Sequence, residues 1–489
     1  MYLGLDLGTS GLKAVLTGAD GSVVDSASAS VQTQYPSPSQ VEQQPEDWWA
    51  ALQQALAELG RRQDLGAVKA IGLAGHMHGA VLLDSTGAVI RPCIQWNDGR
   101  SAEQCRVLED SLDDFRVRSG NVAMPGFTAP KVLWVREHEP ENFARIARVV
   151  LPKDYLRFRL TGEYWSEMSD AAGTLWLNPQ TRDWDDELLR ISGLERHHMP
   201  ALTEGSRVTG RVSAAAAAEL GLREVPVVGG AGDNAAGAIG VGVTRPGQGF
   251  ISLGTSGVYF VVSEAHCAAP EQTVHAFCHC LPERWHQMSV MLSAASCLDW
   301  LANLTGATVS ELLAEVEASD VRETPVLFLP YLTGERTPHN DPNLRAQFFG
   351  LSGSTQRAEL TLAVLEGVAY GIADGEDALK AAGTPLQDIS LIGGGARSAF
   401  WRQLIADVLQ RTLHFREGGE VGPGLGAARL AHLGLAGDDD ASIEAICPPP
   451  PIVQTHEPDS GRADHHRRRL ALFRRLHQQT ASLHHSPEY

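Results

Sequence analysis

Asp6, Thr9, Ser10 and Lys13 are gathered at the start of the chain in the segment LGLDLGTSGLK. A carboxylate, two hydroxyls and an ammonium around a glycine turn are groups that grip a polyphosphate. Asp6 would hold a hydrated Mg²⁺, and Thr9, Ser10 and Lys13 would face the β- and γ-phosphates. Successive backbone N–H groups in such a turn add an anion cradle. The pentapeptide LGTSG of this segment returns at Leu253–Gly257, about half of the 489-residue chain further on, and brings Gly254 and Thr255 into an equivalent turn. An internal repeat of this kind predicts a duplicated α/β protein that closes on a nucleotide between its halves. Asp6 precedes the first copy and Ser252 the second, so only the first half sets a carboxylate beside the phosphates.

Four further constellations carry chemistry. In GGAGDNAAG, Asp233 falls where a strand gives way to a helix. It reads either as a helix cap, a role Asp and Asn both fill well, or as a carboxylate aimed into the cleft to accept a proton from a substrate hydroxyl. GHMHG at Gly75–Gly79 ends the strand AIGLAG, the place where open α/β sheets bind ligands, and His78 there suits a hydroxyl-rich ligand or a purely structural role. Trp96, in QWNDGR, offers a face for a sugar or a buried ring behind a turn. GGGARS at Gly393–Ser398 follows a strand and opens a helix, either as a simple capping turn or as a close approach to an anion or nucleoside. It has neither the G-x-G-x-x-G spacing nor the P-loop GK[ST].

These residues need elements to hold them. LGLDLG, LKAVLTG and VVDSASASVQ predict a three-stranded meander, and PEDWWAALQQALAELG an amphipathic helix from Pro45 to Gly60. VKAIGLAG and GAVLLD read as strands. The mixed stretch from Asn97 to Thr203 reads as an insertion. VPVVGGAGDN is a strand running into the helix AAGAIGVG. The second half repeats the theme with the hairpin GQGFISLGTSGVYFVVS, the strand WHQMSVMLS, three helices, and the strand ISLIGGGARS. The run CPPPP at Cys447–Pro451 is expected to end the compact part. The tail HHRRRLALFRRLH carries Leu470, Phe473 and Leu476 at helical spacing and is expected to dock as a terminal helix rather than to bind nucleic acid or membrane. The expected division is residues 1–242, residues 243–440, and a tail of residues 441–489.

The formal charge of −19 argues against a nucleic-acid partner. A bound polyphosphate must therefore be held by local groups rather than by a global field. No apolar run reaches the roughly 18 residues of a membrane span, and no signal peptide is read before the first strand. Seven cysteines without framework spacing suit a reducing cytosol. His275, Cys278, His279, Cys280 and His286 have a metal-site composition, but their C-x-C spacing differs from the usual zinc knuckle, and a strand would send them to both faces.

Taken together, these segments resemble the FGGY carbohydrate kinases of the actin/hexokinase/Hsp70 (ribonuclease H-like) superfamily. GFTAPKVLWVREH at Gly126–His138 and AQFFGLSGSTQRAELTLAVLE at Ala346–Glu366 match the two family signatures. The likeness runs from Met1 to about residue 435. It is closest to the branch acting on D-xylulose, through GHMHGAVLLD, WNDGR, LPKDYLRFRLTGE, SDAAGT, SLGTSGVYF and LTGERTPH. The resemblance implies two duplicated domains around a deep ATP/sugar cleft, and transfer from ATP with Mg²⁺ to give D-xylulose 5-phosphate. It implies that Asp233 is the catalytic base. Met77, His78, Trp96 and Asn234 would contact the sugar, Asp6 the metal and phosphates, Thr255 a phosphate, and Gly394 and Gly395 the nucleoside. The implied partners are a ketose and ATP, with a homodimer left open. His76 is a departure, because that branch usually carries Gln there. The competing readings are an FGGY kinase for ribulose, fuculose, gluconate or glycerol, and an actin- or Hsp70-like ATPase without a sugar substrate.

Overall fold

The computed structural model describes residues 1–319, 321–417 and 422–486; residues 487–489 of the expected tail lie outside them. Two mixed sheets carry the two halves. In the first, β1 (Tyr2–Gly8), β2 (Gly11–Thr17) and β3 (Val23–Ser30) form the expected antiparallel meander. β4 (Ala70–Gly75) then pairs parallel to β1, with Asp6 opposite Ala74. β5 (Val208–Arg211) and β6 (Pro226–Val228) complete the order β5-β6-β4-β1-β2-β3, and the short β7 (Ala231–Gly232) lies parallel to the end of β4. The second sheet repeats this plan. β8 (Gln248–Leu253) and β9 (Gly257–Ser263) are the second hairpin. β10 (His275–Cys278) and β11 (Trp285–Met291) extend it, and β12 (Asp388–Ile392) pairs parallel to β8, with Ser252 opposite Ile392. The LGTSG repeat is therefore a repeat of topology. The turn after β4 and the turn after β12 occupy equivalent places in the two halves.

The helix α1 (Pro45–Gly60) forms as expected. Proline at its first position and Glu46 and Asp47 in its first turn suit the exposed N–H groups there. Trp48, Leu52, Ala55, Leu56 and Leu59 recur every three or four residues and bury against the first sheet. The insertion contributes α2 (Thr128–His138) and α3 (Pro152–Thr161). α4 (Asp233–Gly240) follows β7 directly. In the second half, α5 (Ser296–Thr305), the long α6 (Arg357–Ala381) and α7 (Ala399–Leu409) enclose the second sheet.

After β13 (Leu413–Arg416), which pairs parallel to β12, the helix α8 (Pro423–Ala436) leaves the second sheet and lies on β1 and β4 of the first. The approach is backbone on backbone. A methyl group on Gly4 would stand 1.9 Å from the Gly424 carbonyl oxygen, and one on Gly72 1.9 Å from that of Ala427. On the far side of the helix, a methyl group on Gly426 would stand 1.8 Å from the Ala236 carbonyl oxygen in α4. Only residues without a side chain allow this three-way contact.

The proline run at Cys447–Pro451 does not end the compact part, contrary to the sequence expectation. The chain continues into β14 (Ile452–His456), which pairs antiparallel with β13 at the edge of the second sheet. The unpaired N–H and C=O groups of β13 supply a template that composition does not reveal. The basic tail docks as α9 (Ala463–Thr480). Phe473 and Leu476 bury in the second core, while Arg474 pairs with Asp374 at 2.6 Å and Arg469 with Glu366 at 2.8 Å.

Gly72→Ala is expected to overpack the α8 contact and to lower stability by about 1–3 kcal/mol or more. Gly237→Ala, at a helical site where a methyl group meets nothing within 4 Å, is expected to raise it by roughly 0.5–1 kcal/mol. Paired thermal melts of the two variants check both signs.

Candidate active site

Between the halves lies a cavity of about 270 Å³. Met77, His78, Trp96, Asp233 and Asn234 line it from the first half, so the five residues expected to meet one ligand converge. Each is placed by a local device. Asp233 is the first residue of α4 and not its cap, the cap position being Gly232. Its carboxylate accepts from the Asn234 backbone N–H at 2.7 Å and from the Asn234 amide at 3.0 Å. Gly232 is fixed from behind, because its N–H donates to the Ser169 hydroxyl at 3.1 Å, and Ser169 donates to Glu167. Beneath Ser169, Lys153 stands 2.6 Å from Asp154, 3.3 Å from Asp170 and 3.5 Å from Glu167, all four fully buried. One ammonium among three carboxyls leaves negative charge in a dry place. Burial accordingly pushes Asp170 well above the usual carboxylate range. In the sequence these residues stand out only as motifs of the family, yet they hold the floor under Asp233.

His78 has φ of 72°, a left-handed backbone uncommon outside glycine, which turns its ring into the cavity. Its Nδ1 lies 2.8 Å from the Gly173 carbonyl oxygen. Burial holds the ring's pKa down at about 3, so it is neutral. A carbonyl only accepts; Nδ1 therefore carries the proton, and Nε2 faces the cavity as an acceptor. Gly173 must be glycine, since a methyl group there would come within 2.5 Å of the His78 ring. His76 points the other way. Its backbone N–H and its Nδ1 both reach the Leu7 carbonyl, at 2.9 and 3.0 Å, and its ring meets Trp48 edge-on. The departure at position 76 thus braces β1 beneath the first hairpin and does not touch the cavity.

The first hairpin is joined to the same cavity. Trp96 donates through Nε1 to the Thr9 hydroxyl at 2.9 Å, and Gln43, itself held by Trp48, donates to the Thr9 carbonyl at 2.6 Å. Thr9, expected to face phosphate, here ties the phosphate turn to the sugar side and keeps its own hydroxyl proton to donate. Ser10 is exposed at the tip, and Lys13 sits on β2 directly across from Asp6. The Asp6 side chain accepts no hydrogen bond among the described residues. Burial, then the nearby negative charge of Asp233, raise it to about 7 against the pull of Lys13. Burial alone raises Asp233 to about 6 against its Asn234 hydrogen bonds. Asp233 lines the cavity, Asp6 feels its charge, and such a pair favours a cation or a proton beside it. Beside them a small cleft of about 50 Å³ opens between Lys13, Gly422 and Gly424.

In the second half, Thr255 is exposed at the hairpin tip, and its carbonyl accepts from the Ala294 N–H while the Gly254 carbonyl accepts from that of Ala295. Gly393 and Gly395 pack against Leu253, and Gly395 also against the Trp401 ring, so packing alone demands glycine there. Gly394 faces open space, and no neighbour forbids a side chain.

The structure adds residues that sequence reasoning missed. Ser256, His275 and Arg336 line the cavity from the second half. His275 belongs to the run with metal-site composition, but its fellows go elsewhere. Cys278 donates to the Pro179 carbonyl, His279 accepts from the Leu281 N–H, and His286 stacks on Phe260 in the core. Repeat spacing flags Ser256; nothing local in the sequence flags His275 or Arg336.

Duplicated sheets around a cleft, two hairpin turns at its mouth, and a poised carboxylate on the wall of the cavity define a phosphotransferase-type architecture. The chain belongs to the FGGY family of carbohydrate kinases: the family's N-terminal domain matches residues 1–240 and its C-terminal domain residues 249–435. It is 52% identical over 484 residues to the xylulose kinase of Escherichia coli strain K12, covering 99% of this chain and 100% of that protein. It is 52% identical over 477 residues to the xylulose kinase of Klebsiella pneumoniae, covering 97% of this chain and 98% of that protein. Among solved structures, it superposes on a "xyloylose kinase" from Brucella ovis with a TM-score of 0.94 at 45% identity, over 99% of both chains. A xylulose kinase from Rhodospirillum rubrum gives 0.92 at 30% identity, over 99% of this chain and 100% of that one.

The crowding of Asp6 and Asp233 has a thermodynamic sign. A carboxyl whose folded pKa is raised binds its proton more tightly when folded, so the stability it contributes is present at acid pH and is lost as pH rises through about 7. Asp6→Asn is therefore expected to melt at a higher temperature than the wild type at about pH 8 and at a similar one at about pH 4. Melts of the ligand-free protein across that range check it; equal differences at both ends would refute the crowding.

Proposed function

We propose that this chain transfers the γ-phosphoryl group of ATP to the O5 hydroxyl of D-xylulose, giving D-xylulose 5-phosphate and ADP. The observation that carries the reading is Asp233, set at the head of α4 on the wall of the cavity with its acidity tuned to about 6. Full-length relatives named xylulose kinase support the sugar. Asp233 accepts the O5 proton as the oxygen attacks phosphorus, a role that suits a base titrating near working pH. The Nε2 of His78 accepts from a sugar hydroxyl, Met77 packs on the carbon chain, and Asn234 and Trp96 complete the first-half wall.

The two hairpins receive the triphosphate, with Thr9, Ser10 and Lys13 on one side and Gly254 and Thr255 on the other. Gly394 and Gly395 lie where the nucleoside enters. Asp6, a hard oxygen donor with no hydrogen-bond partner among the described residues and an excess of negative charge beside it, fits Mg²⁺. The ion, when bound, neutralises charge on the phosphate oxygens. Little covalent chemistry is left to the protein beyond placing donor and acceptor in line. All seven cysteines are free, which fits a reducing compartment, and we place the enzyme in the cytoplasm.

Asp233→Asn keeps the shape and the N-terminal position and removes the base. It is expected to lower kcat on D-xylulose by about 10²–10⁴-fold. In the wild type, kcat/KM is expected to rise with pH through an acid limb near 6, because only the ionised carboxylate accepts a proton. A coupled ADP assay with D-xylulose, D-ribulose, L-xylulose and glycerol reads both. Preference for an acceptor other than D-xylulose would overturn the assignment.

A further inference from the structure

Arg336 lines the cavity as a charged donor, whose pKa burial lowers and the neighbouring Glu335 raises. It comes from the second half, on the segment LTGERTPH. The backbone around it is bolted down. The Thr337 N–H donates to the Val290 carbonyl at 3.0 Å, the Thr337 hydroxyl accepts from the Val290 N–H at 3.0 Å, and the Thr273 hydroxyl donates to the Arg336 carbonyl at 2.9 Å. Glu335 and Asp341 exchange backbone hydrogen bonds just outside. The guanidinium itself makes no hydrogen bond and no ion pair among the described residues. Its nearest carboxyl, Glu335, accepts from the Leu292 and Arg336 N–H groups, and burial pushes it up to about 8, so at neutral pH it is largely uncharged. A rigidly mounted, half-buried guanidinium with no hydrogen-bond partner among the described residues is free to donate to a ligand in the cavity.

The chemistry of the acceptor says what such a donor would meet. In a 2-ketopentose the five-membered ring closes when O5 adds to the C2 carbonyl. The same O5 is the atom proposed to attack phosphorus. A ring form has no O5 hydroxyl to phosphorylate, so the reacting sugar is the open chain with its carbonyl free. Every hydroxyl of that chain both donates and accepts, but the C2 carbonyl oxygen only accepts. Guanidinium only donates, and does so as a planar fork. Of the other polar groups lining the cavity, Asp233, His78 Nε2 and His275 Nε2 are acceptors suited to hydroxyls, and Asn234 and Ser256 can both donate and accept, whereas Arg336 is a charged group that only donates.

We propose that Arg336 donates to the C2 carbonyl oxygen of the sugar, so that the site selects the open-chain keto form and keeps O5 out of the ring. The inference rests on the ketopentose kinase reading and goes beyond it by assigning Arg336 as the residue that reads the carbonyl. Because Arg336 belongs to the second half and Asp233 to the first, a single sugar chain then spans the cleft.

The test uses Arg336→Met, similar in length and uncharged, and Arg336→Lys, which keeps one charged donor. Calorimetric titration compares D-xylulose with the pentitol made by reducing its C2 carbonyl, without nucleotide. Losing a charge-assisted hydrogen bond is expected to weaken xylulose binding by about ten- to a hundredfold in Arg336→Met and pentitol binding by less than about threefold, with partial recovery in Arg336→Lys. Xylulose carrying carbon-13 at C2 gives a readout independent of affinity. Bound to the wild type it is expected to show the ketone resonance, displaced by the charged donor, and the displacement is expected to vanish in Arg336→Met. Equal losses for ketose and pentitol would move Arg336 onto a hydroxyl and overturn the proposal, as would a bound hemiketal resonance. Wild-type turnover of other acceptors with no binding of any ketopentose would instead fell the functional reading and this inference together.

Discussion

The contact on which the site depends is the seat of α8 against the first sheet. Three glycines, Gly4, Gly72 and Gly426, let the helix backbone touch β1, β4 and α4 with no side chain between. Each of those elements carries part of the site. β1 carries Asp6, β4 delivers the turn with Met77 and His78, and α4 begins with Asp233. The N-terminal turn of α8 also packs on Asp6, for a methyl group on Gly424 would stand 3.6 Å from the Asp6 Cβ. α8 is reached from β13 of the second sheet and leads back to β14. One helix therefore fixes three functional positions relative to each other and links them to the half that carries the other hairpin. Close-packed backbone has little room to yield, which suits a site that must hold reacting groups to a fraction of an ångström.

The duplication explains how two similar halves do different work. Asp6 and Ser252 take the same place on equivalent strands, one opposite Ala74 and the other opposite Ile392. A carboxylate in one copy and a hydroxyl in the other put the proposed metal ligand, Asp6, on one side only. The turns that follow diverge as well. After β4 the chain bears Met77 and His78, side chains long enough to reach a small ligand. After β12 it bears three glycines in a row, so the backbone itself can come close to a flat ring.

Much of this was legible in the sequence because it is local. The hairpins announce themselves by repetition, α1 by its period and its proline, and Asp233 by the change from strand to glycine-rich helix. What was not legible is what depends on distant packing. α8, rich in Gly and Ala, is apolar on most of its surface and so gives no amphipathic period, and its closest contacts are backbone on backbone. β14 follows four prolines and is recruited by the open edge of β13. Ser169, Glu167 and Lys153 support Gly232 from about 63 residues or more away, and the Thr9–Trp96 bond joins two motifs 87 residues apart that read as servants of different ligands. The sequence reading gave Asp233 a choice between cap and base. The structure removes the cap by placing Gly232 there, and the carboxylate is left facing the cavity.

The last step concerns water. Donor and acceptor meet in a cavity whose walls come from both halves: Asp233, His78 and Trp96 on one side, Ser256, His275 and Arg336 on the other. Neither half alone encloses the sugar, so a ligand that bridges them stabilises the approximated arrangement by its differential contacts with the closed state. The Trp96–Thr9 bond passes this arrangement to the phosphate turn, since the ring that walls the sugar is the same one that holds a hydroxyl of the first hairpin. Without the sugar the cavity is open to water, which competes for the phosphoryl group. Under the proposed function, a bound sugar sets its carbon chain against the apolar lining of Met77, Phe127, Phe277, Met288 and Val290 and its O5 hydroxyl at Asp233. On that proposal, selectivity for the sugar over water follows from building one cavity from two halves.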